Sequence, residues 1–464
     1  MSERTKTNRF EMDMCSGPLM RKLITFALPL ILASNLQLMF NAVDIIVVGK
    51  FSGSQSLAAV GSTTALINLL INLLTGISLG AGVLAGQYFS AGEDKKMSEL
   101  VHTAVTFGIV AGLVLGAVGI VLARWALTLM DTPPEVLPLS LLYIRVYFLG
   151  MPFFMIFTYG AAILRAVGDT RRPLVFLTVA GVLNACLNMV LVIVFRLGVL
   201  GVASATVFSQ LVSCLLVLKC LTGATGSYRL SFRKLRIRAS YLKQIFKIGL
   251  PAGLQSVVMS FSNVLLQSSV NSLGQFAMAG YTAANSVFGF LFVTANAFTQ
   301  TCMSFMSQNF GVRKWDRMRL VLKNCLLLSV GTMLVMGSLV FFFREPILGI
   351  YTSNAEAVRA GCEVFLYTTT TYFILNIADL LPGAMRGFGH STVPMILSAI
   401  GIVGVRVLWI YGVFPTYPKL DILFISYPVS WIAAALMEAV YFCYLWRNLR
   451  REREAAPKTA ASAG

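Results

Sequence analysis

Polar side chains recur along one apolar stretch near the start of the chain, at spacings of 3, 4 and 3 residues. They are Ser34, Gln37, Asn41 and Asp44. If the stretch is helical, these spacings place all four on one face. A carboxylate beside hydroxyl and amide groups can hold and release a proton, or bind Na⁺, a hard cation that prefers oxygen ligands. The pattern predicts a cation site centred on Asp44. The alternative is that Asp44 pairs with Lys50 or reaches toward lipid headgroups.

The elements that must position this stripe are membrane-spanning helices. Of 464 residues, 57% are hydrophobic and 12% are charged, and the mean hydropathy is +0.78. A soluble protein of this size cannot bury so much apolar surface. Apolar segments of about 20 residues each match the thickness of a bilayer. We predict twelve spans: 20–48, 57–88, 98–123, 137–163, 173–196, 199–221, 241–269, 277–307, 319–343, 356–384, 392–412 and 422–447.

The basic residues predict the orientation of these spans. The N-terminus, the C-terminus and the loops after even-numbered spans hold 29 of the 37 lysines and arginines. By the positive-inside rule, both termini are cytoplasmic in a multi-pass protein of the cell membrane. The net charge of +18 then needs no nucleic-acid partner. The basic run "YRLSFRKLRIRASYLKQIFK" is either a solvated, orienting linker or a contact for anionic membrane lipid.

Three sequence blocks occur twice in the same order. "FALPLILASNLQLMFNAVDIIVVG" matches "IGLPAGLQSVVMSFSNVLLQSSVN", "GQYFSAGEDKKM" matches "SQNFGVRKWDRM", and "LRAVGDTRRP" matches "MRGFGHSTVP". The repeat predicts an all-α membrane protein with two parallel six-helix lobes, which commonly enclose a substrate pathway. The predicted parts are an N-terminal tail (1–20), an N-lobe (21–222), a linker (223–240), a C-lobe (241–447) and a C-terminal tail (448–464).

Glycines and prolines inside the spans predict local features of the helices. "GISLGAGVLAG" in span two lies in an apolar helix with no preceding strand, so it indicates close helix packing rather than a dinucleotide-binding loop. Prolines are expected to kink or interrupt their spans. They are Pro29, Pro152, Pro251 and Pro382.

These duplicated blocks resemble the multidrug and toxic compound extrusion family of cation-coupled efflux antiporters, from roughly Arg21 to Trp446. The resemblance implies alternating access of two lobes, with entry of Na⁺ or H⁺ driving export of organic, often cationic, compounds. It also implies a cation site in the N-lobe. Residues that match this site are Asp44, Asn184 and Thr206. At two further positions the family has Asn and Asp, whereas this chain has Thr158 and Asn188. With one carboxylate lost, proton coupling is favoured over Na⁺ coupling. Ordinary interhelical hydrogen bonding is the other interpretation of the two asparagines.

The second lobe carries its acid in a different span. Thr368, Tyr372, Asn376 and Asp379 share one face of span ten, and the span-seven stripe contains Asn263 and Gln267 without an acid. One branch of the family uses an acid near Asp379 for coupling or substrate binding, together with a span-seven glutamate that Met259 or Ser260 replaces here. Asp379 therefore acts on cations, or it forms a buried ion pair with Arg406. Glu438 in span twelve is interpreted as structural.

The functional hypothesis is a secondary antiporter that exports small organic compounds in exchange for H⁺ or Na⁺. It needs no cofactor, no metal beyond Na⁺ at Asp44, and no second copy of the chain. Two alternatives remain. A flippase for lipid-linked saccharides needs a strongly cationic central cavity, whereas most arginines here lie at the cytoplasmic ends. An intramembrane enzyme needs a nucleophile and base or a metal cluster at motif spacing, which the sequence does not contain.

Overall fold

The computed structural model describes residues 10–461, and their side chains as far as residue 451. Every regular element in this part of the chain is helical, because backbone groups in an apolar solvent must find their hydrogen bonds within the segment. The α-helices are α1 Leu19–Phe51, α2 Gly53–Ala91, α3 Asp94–Leu129, α4 Leu137–Leu149, α5 Met151–Ala166, α6 Arg171–Asn188, α7 Gly198–Thr222, α8 Ala239–Asn271, α9 Gln275–Gly311, α10 Trp315–Phe342, α11 Arg344–Gly349, α12 Ala355–Thr368, α13 Tyr372–Gly387, α14 Thr392–Ser398, α15 Val405–Gly412 and α16 Leu420–Ala461.

Two π-helical segments interrupt the spans. The first, Met189–Val194, continues α6, and the second, Ala399–Gly404, joins α14 to α15. A short 3₁₀ turn, Phe232–Lys234, lies before α8. Such π-helical insertions are uncommon and are frequent at functional sites.

The prediction of twelve spans is confirmed. Ten helical segments in the described part are long and apolar enough to cross a membrane, and two bent helix pairs complete the twelve. Span four consists of α4 and α5, which meet at 46°, and span ten consists of α12 and α13, which meet at 50°. The two breaks fall at corresponding positions of the sequence repeat, as expected for duplicated six-helix halves.

The two breaks have different local causes. In span four, Gly150 precedes α5 and Pro152 lies at its start, where proline cannot donate to the preceding helical turn. In span ten, the four hydroxyls of Thr368–Thr371 each donate to the carbonyl four residues earlier, at 2.5 to 2.6 Å. These bonds compete with the helical ladder and bend the helix. The other three prolines, Pro29, Pro251 and Pro382, lie inside continuous helices and do not interrupt them.

The chain divides into two compact units that do not follow the repeat strictly. The first extends as far as Val257 and also includes Met303–Val321 and Gly387–Gly389. The second contains Val258–Cys302, Leu322–Arg386 and the chain from His390 onward. The predicted tails, 1–20 and 448–464, lie partly outside the described residues.

Glycines of α2 permit close packing inside the first unit. A Cβ added at Gly76 would lie 2.2 Å from Gly253 on α8, and one at Gly80 would lie 2.2 Å from the carbonyl oxygen of Ile245. Only hydrogen fits in these gaps. The interpretation of the span-two glycines as packing residues is therefore confirmed.

The segment from Phe10 to Gly17, here called the N-terminal strap, packs within the first unit. Met14 is fully buried, and its backbone N–H donates to Gln308 at 3.3 Å. Asn309 donates to the Met14 carbonyl at 3.2 Å, and Arg317 donates to the carbonyls of Met14, Ser16 and Gly17. Residues before the first span are thus held by the C-terminal end of α9 and the first turn of α10.

Candidate functional site

The first-unit site lies where α1, α6 and α7 pack together. Asp44 is half-buried on α1, and the amide of Asn188, at the end of α6, donates a hydrogen bond to its carboxylate. Asn188 is fully buried, and it is the last α-helical residue before the first π-helical segment. The helix therefore changes its winding at the residue that holds the carboxylate.

Asparagine and threonine side chains extend the hydrogen bonding away from Asp44. The Nδ2 of Asn188 lies 3.3 Å from the Oδ1 of Asn184, whose own Nδ2 lies 3.4 Å from the Oγ1 of Thr206. The Thr206 hydroxyl donates to the carbonyl of Val202 at 3.0 Å. Four residues predicted from three separate spans are thus connected through side-chain hydrogen bonds.

One acceptor in this network is unused. The Oδ1 of Asn188 is buried and accepts no hydrogen bond from the described residues. A buried amide oxygen without a donor is costly unless something else satisfies it. Together with the Asp44 carboxylate, it supplies oxygen atoms of the kind that a proton or Na⁺ requires.

Lys50 does not neutralise Asp44. Ion pairs among the described side chains involve Glu93, Glu99 and Asp169, and Lys50 is exposed at the end of α1. The alternative of an ion pair between Asp44 and Lys50 was therefore wrong.

Three other predicted first-lobe residues are not linked to the network. The Thr158 hydroxyl donates to the carbonyl of Phe154 in its own helix, at 2.8 Å. Gln37 and Asn41 are exposed and bond each other at 3.4 Å. They continue the stripe along α1, but no hydrogen bond in the described chain joins them to Asp44.

Two tyrosines beside Asp44 were missed. Tyr143 and Tyr147 on α4 are buried and lie near enough to interact electrostatically with its carboxylate. Tyr147 also interacts with the side chain of Gln210 on α7. Their spacing of four residues puts both hydroxyls on one helix face. This spacing is the feature of the sequence that could have identified them as site residues.

The second-unit candidates form a more highly charged group. Arg406 is buried on α15, bonds Ser430 and Ser262 at 3.3 Å each, and lies 4.2 Å over the ring of Tyr427. Asp379 on α13 is half-buried and interacts electrostatically with Arg406 and Arg386. Neither oxygen of Asp379 reaches ion-pair distance of Arg406 in the described structure. Arg406 therefore has other close partners, and of the two alternatives for Asp379 the close ion pair with Arg406 is not formed in the described structure.

Neighbouring candidates in span ten are fixed by packing. The Asn376 amide donates to the Ser329 hydroxyl on α10. Tyr372 stacks on Phe288 with ring centroids 6.3 Å apart and contacts Trp431 edge-on at 5.8 Å. These residues support the α13 backbone beside Asp379.

The candidates on α8 are not joined to Asp379 by hydrogen bonds in the described structure. Met259 packs against the small apolar cluster of Ala378, Ile402 and Ala434. Asn263 is exposed, and Gln267 bonds Asn271 on its own helix at 2.8 Å. In the described residues, no three His, Cys, Asp or Glu side chains are grouped as a metal site would require.

The fold and the two embedded polar sites define a multi-pass membrane transporter with an internal repeat. The MatE family model matches residues 29–190 and 251–411, so the chain belongs to the MatE family of multidrug efflux transporters. The resemblance inferred from the duplicated blocks is thereby confirmed.

Individual relatives agree with this assignment. The chain is 29% identical over 441 residues to the probable multidrug resistance protein YoeA of Bacillus subtilis, covering 92% of this chain and 94% of that protein. It is 24% identical to the multidrug export protein MepA of Staphylococcus aureus, covering 85% and 87%. An outward-facing structure of a multidrug resistance MATE family transporter of the MOP superfamily has a TM-score of 0.89 at 19% identity, covering 96% of this chain and 100% of that one.

Proposed function

We propose that this protein is a secondary antiporter that exports small organic, cationic and amphiphilic compounds in exchange for H⁺ or Na⁺. The observation that carries the proposal is the carboxylate of Asp44, placed inside an apolar span and held by the amide of Asn188. Carboxylates inside spans are costly and mark ion pathways. The multidrug names of the relatives support an organic substrate.

The coupling ion is a proton in the favoured version of the proposal. Asp44 has uncharged hydrogen-bonding partners, so one ionised carboxylate would face Na⁺ with amide and hydroxyl oxygens alone. A bound proton neutralises the same carboxylate without a coordination shell. Asn188 occupies the position where the resemblance implies a second acid, and its amide cannot supply that charge.

The transport cycle follows from a difference in affinity between two states. In the outward-open state Asp44 binds the cation and substrate leaves. In the inward-open state the cation leaves and substrate binds. A ligand shifts such an equilibrium only if it binds the two states unequally. We assign the moving lobes to 21–222 and 241–447, the linker to 223–240, and both tails, 1–20 and 448–464, to the cytoplasm of a monomer in the cell membrane.

The second lobe contributes to substrate binding in this proposal. Asp379 lies on α13 beside aromatic residues of the second unit, including Tyr372, and a carboxylate near aromatic rings suits an organic cation.

Transport of ethidium in proteoliposomes tests the function. A pH gradient and a Na⁺ gradient are imposed separately, and ethidium movement is followed by fluorescence. Stimulation by the pH gradient alone supports proton coupling, and stimulation by Na⁺ alone supports the other ion. Stimulation by neither gradient contradicts the antiporter proposal.

A further inference from the structure

Glu438 is a buried carboxylate that the proposed cycle does not use. It lies on α16 with no exposed surface, and the Ser398 hydroxyl donates to its Oε1 at 3.0 Å. Its Oε2 is also buried and accepts no hydrogen bond from the described residues. An ionised carboxylate that accepts from one protein donor is costly to bury, whereas a protonated carboxyl group carries no charge.

The position of Ser398 repeats a feature of the Asp44 site. Ser398 is the last residue of α14, directly before the second π-helical segment. In the first unit, Asn188 is the last residue of α6, directly before the first π-helical segment. Asp44 and Glu438 are therefore each hydrogen-bonded by the residue at which a neighbouring helix changes from α to π winding.

The second π-helical segment packs directly on the helix of Glu438. A Cβ added at Gly401 would lie 2.6 Å from the Cα of Ala434, which is one helical turn before Glu438. This close approach leaves room for hydrogen only. A change in winding at Ser398 would therefore move backbone that touches α16.

Three charged or titratable groups face Glu438. Arg386 and Asp379 interact with it from α13, and Tyr441 does so from α16 itself. Arg386 interacts with both carboxylates, while Arg406 on α15 interacts with Asp379. The negative charge of Asp379 repels a negative charge on Glu438, and the two carboxylates compete for Arg386. Neutralising Asp379 removes both effects.

We propose that Glu438 is the proton-binding residue of the second half, and that an organic cation bound beside Asp379 displaces its proton. The exchange balances in charge, because one monovalent cation enters the cluster as one proton leaves the Glu438 carboxyl group for water. This inference rests on the proposed antiport function, and it adds a second exchange site to that of Asp44.

Proton release from purified protein tests the inference. Ethidium is added to protein in weakly buffered detergent solution, and the protons released are measured with a pH indicator. The D44N background removes the contribution of the first site. We expect ethidium-dependent proton release in D44N and its loss in the D44N/E438Q double variant. Equal release from D44N and D44N/E438Q would overturn the proposal, as would the absence of release from D44N when ethidium binds.

Control variants distinguish the loss of the Glu438 proton from damage to the folded structure. E356Q makes the same chemical change at an exposed glutamate in the first turn of α12, and in the D44N background it should leave the release unchanged. E438D restores a titratable group and should recover part of the release in that background. Infrared difference spectra should show a protonated carboxyl C=O band that ethidium removes in D44N and that is absent from D44N/E438Q. Persistence of that band in D44N/E438Q would also overturn the proposal.

The result is distinguishable from failure of the antiporter proposal. That proposal fails if wild-type protein transports ethidium under neither gradient, whatever Glu438 does. The present inference fails if the double variant still releases protons while wild-type protein shows gradient-driven transport.

Discussion

The embedded sites of the two halves share a plan but differ in charge. In the first unit, Asp44 is surrounded by uncharged hydrogen-bonding groups on α4, α6 and α7. In the second unit, two carboxylates lie among two buried arginines: Asp379 and Glu438, with Arg386 and Arg406. A single negative charge can be neutralised only by a ligand, whereas a mixed cluster can redistribute charge internally. The two halves thus share the positions of their helix breaks, whereas the charged side chains of their embedded sites differ.

The largest expected effect comes from removing the isolated charge of the first unit. D44N should reduce gradient-driven ethidium transport by roughly 10- to 100-fold, the usual size of a coupling free energy. Initial rates in proteoliposomes under the favourable gradient measure the effect. D131N makes the same change at an exposed residue outside the site, where Asn also tolerates the left-handed backbone conformation. Full transport activity of D44N would contradict the role of Asp44 as the coupling carboxylate, and with it the proposed difference between the two sites.

Adding a second charge to the first unit should have the next largest effect. N188D places a carboxylate beside Asp44, and Na⁺ then has two negative charges to neutralise it. We expect the apparent affinity for Na⁺ to rise by roughly tenfold or more, because changes to the groups around a metal-ion site commonly alter its affinity by that factor. The dependence of ethidium transport on Na⁺ concentration measures this shift. N271D makes the same chemical change at an exposed residue at the end of α8, outside this site, and serves as the matched control. An unchanged Na⁺ dependence in N188D would contradict the account of the lost carboxylate.

Much of the first site is predictable from the sequence. Helical periodicity places Asp44 on the polar face of its span, the family resemblance implies Asn184, Asn188 and Thr206 as further site residues, and the duplicated blocks define the halves. Tyr143 escaped notice because a tyrosine in an apolar helix resembles ordinary packing. The π-helical segments have no comparable signature, since they depend on how side chains from neighbouring helices fit together.

The second site is less predictable because its charges depend on tertiary neighbours. Asp379 and Arg406 lie 27 positions apart in the sequence, and their types alone allow either an ion pair or a carboxylate that acts on cations. In the structure, hydroxyl groups and the ring of Tyr427 surround the guanidinium of Arg406 instead. The aromatic neighbours of Glu438 along its helix favoured a structural interpretation. The buried oxygen without a hydrogen-bond donor, which points to a functional role, can be recognised only in the folded structure.

The packing of the second π-helical segment gives a smaller and more local prediction. G401A introduces a methyl group 2.6 Å from the Ala434 backbone, an overpacking that costs about 1 to 3 kcal/mol. Thermal unfolding in detergent should show a lower melting temperature. G404A is the matched control in the same segment, because its nearest neighbour lies 3.9 Å from the added Cβ. Equal melting temperatures for both variants would show that the segment is not tightly held against α16.

The smallest expected effect concerns Asp13, an exposed carboxylate in the N-terminal strap. Burial would raise its pKa, but hydrogen bonds from Ser16 and the Cys15 backbone, with the charges of Lys22 and Lys314, lower it overall. A depressed pKa means that Asp13 stabilises the fold above its usual value near 4 and loses this contribution as the pH falls through the folded-state value.

D13N should accordingly lower the melting temperature by only about 1 °C at neutral pH, since exposed charges contribute little. The difference between wild-type and D13N protein should disappear as the pH falls through the lowered pKa of folded Asp13, below which both side chains are neutral. Melting curves at several pH values in detergent measure the trend, and D131N corrects for the general loss of a surface carboxylate. A difference in melting temperature that grows on acidification would contradict this prediction. It would show that contacts other than the charge of Asp13 hold the N-terminal strap.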